Sequence, residues 1–323
     1  MNQTKPASET ISLENVRQAA GRIAGHAHRT PVITNRTINE LVGLQIFFKC
    51  ENLQRTGSFK FRGACNAVAM MTAEELKRGV VTHSSGNHAG AIACAARQFG
   101  TTATVVMPVG SNAVKKAAVI HYGGNVVECE NNEAARTATA DRIVTETGAN
   151  LIPPFDDARI IAGQGTAALE ILDEVPDLDC IMAPVGGGGL LAGTCIAAKK
   201  LRADIRVFAA EPDGANDAWQ SLQKQERIPL QTASTIADGL RTSLGHLNWP
   251  IIQSTVEDIV TVSDEEIVIA MRQFWMFTKL IIEPSSAVPL AALRKSPFKS
   301  MEPQTKVGII LSGGNVDLDR LPW

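Results

Sequence analysis

No run of apolar residues in the 323-residue chain approaches the roughly 18 needed to cross a bilayer. The opening decapeptide, MNQTKPASET, is polar and lacks the apolar centre of a secretory signal. A charge excess is missing too. Lys and Arg number 31 against 33 Asp and Glu, a net charge of −2, so neither nucleic acid nor an anionic membrane is an expected partner. The six cysteines (Cys50, Cys65, Cys94, Cys129, Cys180 and Cys195) form no CxxC pair and mostly sit in apolar segments. Free thiols in a reducing cytoplasm are expected, with no structural zinc site. Internal repeats, low-complexity tracts and long linkers are absent.

What is there is alternation. Short, continuously apolar runs take turns with segments of helical spacing. Strands are expected at 45–50, 79–85, 102–108, 125–129, 150–153, 179–185, 206–211, 258–263 and 306–312. Helices are expected at 13–28 behind the cap Ser12, and at 38–42, 64–71, 89–99, 113–122, 133–147, 161–174, 190–201 and 264–280. Strands without an exposed face, interleaved with helices, predict an α/β chain of parallel sheets covered on both sides, in two lobes.

In such sheets ligands bind beyond the carboxyl ends of the strands. Four unusual stretches fall there. Thr56 to Gly63 (TGSFKFRG) sets one lysine between two aromatic rings. Desolvation lowers a lysine's pKa, and a neutral amine forms a Schiff base with an aldehyde. Ser84-Ser85-Gly86-Asn87-His88 follows the strand at 79–85, and Ser312-Gly313-Gly314-Asn315 follows the last strand. Gly186 to Gly189 is a run of four glycines before a helix. Bare N–H groups there can curl around an anion, helped by the helix N-terminus. No Gly-Lys-Ser/Thr follows, so it is not a Walker loop, and it is not a GxGxxG dinucleotide motif.

The motifs SFKFRGA, SSGNHAGA, AGQGT, PVGGGGLLAG and SGGN, in this order, resemble those of the fold type II pyridoxal-phosphate enzymes. The serine racemase and serine/threonine dehydratase family is nearest, and threo-3-hydroxyaspartate dehydratase is closely related. The resemblance runs from about Ser12 to the end. It implies a two-lobed, tryptophan synthase β-like fold. Residues 1–67 and 153–323 would form a discontinuous cofactor domain, and 68–152 a small mobile domain.

The resemblance also implies roles. Lys60 would carry pyridoxal 5'-phosphate and move protons at Cα. Phe59 would pack by the ring, Asn87 would bond the ring's 3' oxygen, and Gly186, Gly187, Gly188 and Gly189 would hold the phosphate. Ser312 would face the ring nitrogen. A hydroxyl there makes a weaker electron sink than a carboxylate, which favours prompt loss of a β leaving group. Ser85 would be the acid/base on the face opposite Lys60, so that one site both eliminates and racemises. Ser84, Asn87 and His88 would grip the substrate carboxylate. Arg136 would reach the substrate's far end, and Thr242 would border it. Glu211, the Ala215 carbonyl and Asp217 would bind Mg²⁺, or Ca²⁺ or Mn²⁺ in its place. A cytoplasmic homodimer is implied.

The implied activity is dehydration and deamination of a small L-3-hydroxy amino acid such as serine, with racemisation. The alternatives are a dedicated threo-3-hydroxyaspartate ammonia-lyase, a catabolic threonine dehydratase, and a non-catalytic amino-acid or cofactor sensor. Asn35-Arg36, Arg55 and Phe277 depart from the nucleotide-activated racemases, so ATP activation is not expected. The chain stops at Trp323 without a regulatory domain, so feedback by isoleucine is not expected either.

Overall fold

The computed structural model describes residues 11–111 and 113–323, so the polar N-terminal decapeptide lies outside it. Ten strands occur among the described residues. They are β1 (Val32–Ile33), β2 (Gln45–Cys50), β3 (Val80–His83), β4 (Ala103–Pro108), β5 (Asn125–Cys129), β6 (Asn150–Leu151), β7 (Cys180–Pro184), β8 (Arg206–Pro212), β9 (Asp258–Val262) and β10 (Lys306–Leu311). They form two sheets. The larger has the order β1-β2-β10-β7-β8-β9 and the smaller β5-β4-β3-β6. Every pairing is parallel except that of β1 with β2. The expectation of parallel sheets is corrected at this one edge.

The continuous apolar runs are buried as their sequence demands. All five residues of β7 are buried, as are six of the seven in β8. Helices cover the faces. Ser12 caps the helix Leu13–Ile23 by accepting from the Asn15 N–H, and the Asn15 side chain bonds back to the Ser12 N–H. That helix ends five residues before the expected His28, because Ala24 turns extended and Gly25 takes a left-handed φ of 78°.

The helix Lys60–Ala69 begins four residues earlier than expected, at the lysine itself. Two packing features fix it. Phe61 is fully buried in the core of the smaller sheet, a burial that contributes about 1.5–3 kcal/mol. Arg62, also fully buried, reaches Glu51 at 2.7 and 2.9 Å and Glu170 at 2.7 and 2.8 Å. Lys49, beside them, bonds Glu170 at 2.7 Å. The first turn behind Lys60 is therefore tied to the end of β2 and to the helix Ala158–Glu174.

Candidate active site

The four stretches singled out in the sequence meet. Three of them line one cavity of about 630 Å³ that also takes Arg136, Asp238 and Glu283 into its wall. The fourth, at the end of β10, contributes Ser312 to the wall and reaches the site through Asn315, whose Nδ2 bonds Asn87 Oδ1 at 3.0 Å.

Lys60 is part-buried. Its Nζ donates to the Pro154 carbonyl at 2.8 Å and lies 5.1 Å from the centre of the Phe59 ring. Desolvation pulls the amine down to about 8 from the ordinary lysine value, while the charge of Glu283 opposes the shift. A sizeable neutral fraction near pH 8 is what a nucleophilic amine requires.

The strand β3 delivers Ser84 and Ser85 at its carboxyl end. Ser84 Oγ accepts from the Gly86 N–H at 3.2 Å. The helix Asn87–Gln98 is capped by Gly86 without any side-chain bond, so Ser85 is not serving as its cap. The Ser85 hydroxyl makes no hydrogen bond among the described residues and lines the cavity. The Asn87 and His88 N–H groups, in the helix's first turn, also lack a protein acceptor among the described residues. Such a turn suits a carboxylate.

The His88 side chain is turned toward the main chain. It is buried, and its Nε2 lies 3.3 Å from the Ile152 carbonyl. Burial first, then the nearby Lys60, push its pKa down to about 3, so the ring is neutral. A carbonyl only accepts, so the proton sits on Nε2 and Nδ1 offers a lone pair. A lone pair cannot grip a carboxylate. The part of His88 open to a substrate carboxylate is its main-chain N–H.

The glycine run is shaped by close approach. A Cβ on Gly187 would meet the Phe155 ring at 2.3 Å, and Gly188 holds a left-handed φ of 89° at the cap of the helix Gly189–Leu201. The Gly187 carbonyl is engaged by Asn248 Nδ2 at 2.7 Å. The N–H groups of Gly186, Gly187, Gly188 and Gly189 donate to no acceptor among the described residues, although all four residues are buried. Buried, undonated N–H groups are costly unless a ligand accepts from them. A phosphate fits that demand.

Glu283 is the residue that sequence reading missed. It is 2% exposed and accepts from Asn87 Nδ2 at 2.8 and 3.0 Å and from the Asn315 N–H at 3.2 Å. Burial, then the charge of Asp238, push its carboxyl up to about 7. Asp238 pairs with Lys115 across the mouth of the cavity. Nothing local marks Glu283, which reads as the cap before Pro284.

Arg136 lines the cavity. Its Nε is buried and has no hydrogen-bond partner among the described residues. Thr242 stands exposed at the rim. Glu211, Ala215 and Asp217 lie elsewhere, all buried. Glu211 accepts from the Ala218 and Trp219 N–H groups, and Asp217 Oδ2 from that of Leu244. Asp217 Oδ1 is buried without a partner among the described residues. Burial, then the neighbouring Asp217, push Glu211 well above the usual carboxylate range, and burial lifts Asp217 to about 6. Among the described residues no trio of His, Cys, Asp and Glu gathers around a metal, and the expected set has only these two carboxylates.

The chain is similar to known proteins over nearly its whole length. The model of the family described as "Pyridoxal-phosphate dependent enzyme" matches residues 23–313. A serine racemase of Dictyostelium discoideum is 49% identical over 315 residues, 97% of each chain. A beta-hydroxyaspartate dehydratase of Paracoccus denitrificans is 45% identical over 310 residues, 96% of this chain and 98% of that one. The solved structure of maize serine racemase has a TM-score of 0.94 at 43% identity, covering 96% of this chain and 95% of that one. With a lysine, an undonated glycine loop and a polar helix start gathered in one cavity, this chain belongs to the pyridoxal-phosphate dependent enzyme family.

Proposed function

We propose that this enzyme eliminates water from a small L-3-hydroxy amino acid, releasing a keto acid and ammonia, and racemises serine in the same cavity. The observation that carries the proposal is the meeting of Lys60, with its lowered pKa, and the unengaged Ser85 hydroxyl beside the glycine loop.

Bound in this cavity, pyridoxal phosphate supplies an aldehyde for an amine and a ring that draws electrons away from Cα. The chain does the rest. The N–H groups of Gly186 to Gly189 would hold the phosphate, and Phe59 would pack beside the ring. Asn87, held by Glu283 at 2.8 and 3.0 Å, would offer its amide to the ring oxygen. Ser312, in the cavity wall, would meet the ring nitrogen. The Ser84 hydroxyl and the Asn87 and His88 N–H groups orient the substrate carboxylate. Lys60 takes the α proton. If the β-hydroxyl then leaves, the product goes on to keto acid. If Ser85 returns a proton from the other side, the product is the opposite enantiomer.

Arg136 favours a second reading. An arginine whose Nε is buried and unpartnered is ready for a second carboxylate, which threo-3-hydroxyaspartate carries and serine lacks. The two readings share every catalytic group and differ only in the far end of the substrate.

The same proposal gives Glu211, the Ala215 carbonyl and Asp217 to a hard divalent cation, Mg²⁺ or alternatively Ca²⁺ or Mn²⁺. The orphaned Asp217 Oδ1 and, among the described residues, the absence of an ion pair to either carboxylate support it. A chelator should then lower the thermal midpoint, and Mg²⁺ should restore it by mass action. An unchanged midpoint would remove the cation. A homodimer is also proposed, with the exposed Met276, Ile281, Leu318 and Trp323 as apolar surface for it. Six free, buried cysteines suit a cytoplasmic setting.

The test is an assay on L-serine, D-serine, L-threonine and threo-3-hydroxyaspartate, reading keto acid and enantiomer together. Keto acid with D-serine from L-serine is the expected result. Keto acid from hydroxyaspartate alone would make the second reading the right one. No turnover of any of the four would refute both.

A further inference from the structure

Ser286 stands behind Ser312 and is absorbed by no step above. It is fully buried, in the helix Pro284–Ala292, and lines no cavity among the described residues. Its hydroxyl has three neighbours. It lies 2.6 Å from the Gly313 carbonyl, 2.7 Å from the Gly313 nitrogen and 3.1 Å from Ser312 Oγ.

Counting protons decides the directions. A carbonyl oxygen has no hydrogen, so a 2.6 Å contact to it requires the Ser286 proton. The Gly313 N–H donates to Ser286, which fills one of the two Ser286 lone pairs. The remaining lone pair points at Ser312 Oγ, which has one hydrogen and no other hydrogen-bond partner among the described residues. The backbone thus fixes Ser286 as an acceptor toward Ser312. The Gly313 carbonyl is itself held by the Glu283 N–H at 3.0 Å, so the arrangement is tied into the wall of the site.

We infer that Ser286 is a positioning residue that competes for the Ser312 proton and so sets how strongly the ring draws electrons. The inference rests on the proposed reading of Ser312 as the partner of the ring nitrogen. If Ser312 gives its proton to the ring nitrogen, that nitrogen stays unprotonated and the electron sink is weak. If Ser312 gives its proton to Ser286, it turns a lone pair toward the ring, which favours a protonated and stronger sink. A weak sink leaves more negative charge at the substrate Cα and hastens loss of the β group. A strong sink lets the charge wait for a proton from Ser85. Ser286 therefore biases the enzyme toward racemisation, through a hydroxyl it touches and a cofactor it does not touch.

The experiment uses the full chain with pyridoxal phosphate bound, as wild type, Ser286→Ala, Ser286→Cys and Ser312→Ala. Three quantities are read. They are the visible absorption spectrum of the bound cofactor against pH, the dissociation constant of the cofactor, and the ratio of keto acid to D-serine formed from L-serine. With Ser286→Ala the ratio should rise about five-fold, the effect of one neutral hydrogen bond, and the spectral transition should move to lower pH. Ser286→Cys keeps the volume with a weaker acceptor and should fall between, which covers an alanine variant that fails to fold. If Ser312→Ala moves the spectrum while both Ser286 variants match wild type in spectrum and ratio, Ser286 is only structural and the inference is overturned. If Ser312→Ala also changes nothing, the reading of Ser312 falls and the inference falls with it.

Discussion

Arg136→Met offers the sharpest division between the two substrate readings. The Arg136 Nε is buried in the cavity without a partner among the described residues, so a substrate carboxylate would supply an acceptor. Methionine keeps the length of the stem and removes the charge. Truncating one member of a buried, hydrogen-bonded charge pair costs about 2–5 kcal/mol, or roughly 30- to several-thousand-fold in affinity. Serine offers only a hydroxyl, and losing a neutral hydrogen bond costs about 0.5–1.5 kcal/mol, roughly 2- to 12-fold. The predicted outcome is a steep fall in kcat/KM for threo-3-hydroxyaspartate and a shallow one for L-serine, so that the preference shifts by at least about 2.5-fold and, at the middle of both ranges, by roughly 70-fold. Steady-state rates on both substrates, read as keto acid, measure it. Equal losses on the two would refute the reasoning, because Arg136 would then be holding the cavity together rather than a second carboxylate.

Three further outcomes follow from the geometry. In cofactor-free protein the rate of linkage to added pyridoxal phosphate should rise about tenfold per pH unit and level off near pH 8, because burial lowers Lys60 and only its neutral form reacts; a rate still climbing past pH 9.5 in a stopped-flow series would contradict it. Gly187→Ala would set a Cβ 2.3 Å from the Phe155 ring, and displacing the loop should weaken cofactor binding about 5- to 150-fold, the equivalent of about 1–3 kcal/mol; equilibrium titration by absorbance checks this, and wild-type affinity would count against the phosphate cradle. Arg62→Leu should lower stability by about 3–5 kcal/mol in urea unfolding, since it leaves Glu51 charged and fully buried; adding Glu51→Leu should restore part of the loss, and no restoration would show that the cost is packing alone.

Much of the fold is legible in the sequence because its strands are apolar without interruption. β2 and β5 stand at the predicted residues, as does the helix Glu133–Thr147. What escapes has a physical reason. β1 is two residues long and antiparallel, too short to show any period. The helix Pro284–Ala292 carries Pro284 at its start and Pro289 inside, both of which read as breaks. The helices Asp217–Lys224 and Asn248–Thr255 span only about two turns each, little length for a pattern to show.

The site follows the same division. Lys60 and the glycine run announce themselves because each breaks a local rule, an amine between rings and four successive glycines, whereas Ser85 is singled out by the resemblance alone and only the fold shows that it caps nothing. Glu283 breaks none. Its character comes from Asn87, 196 residues away, and from burial that only the folded chain imposes. Ser286 is equally silent until β10 brings Ser312 and Gly313 beside it. For His88 the sequence does not say which atom faces the site; only the fold, with the Ile152 carbonyl against its Nε2, leaves the main-chain N–H for that part.

The most direct measurement compares wild type, Lys60→Ala and Ser85→Ala, each incubated with pyridoxal phosphate and L-serine, following keto acid and D-serine in the same sample. Wild type should give both products, Ser85→Ala keto acid with little or no D-serine, and Lys60→Ala neither product. D-serine formed by Ser85→Ala at the wild-type rate would contradict the two-sided proton transfer. Turnover by Lys60→Ala at the wild-type rate would contradict the account at its root.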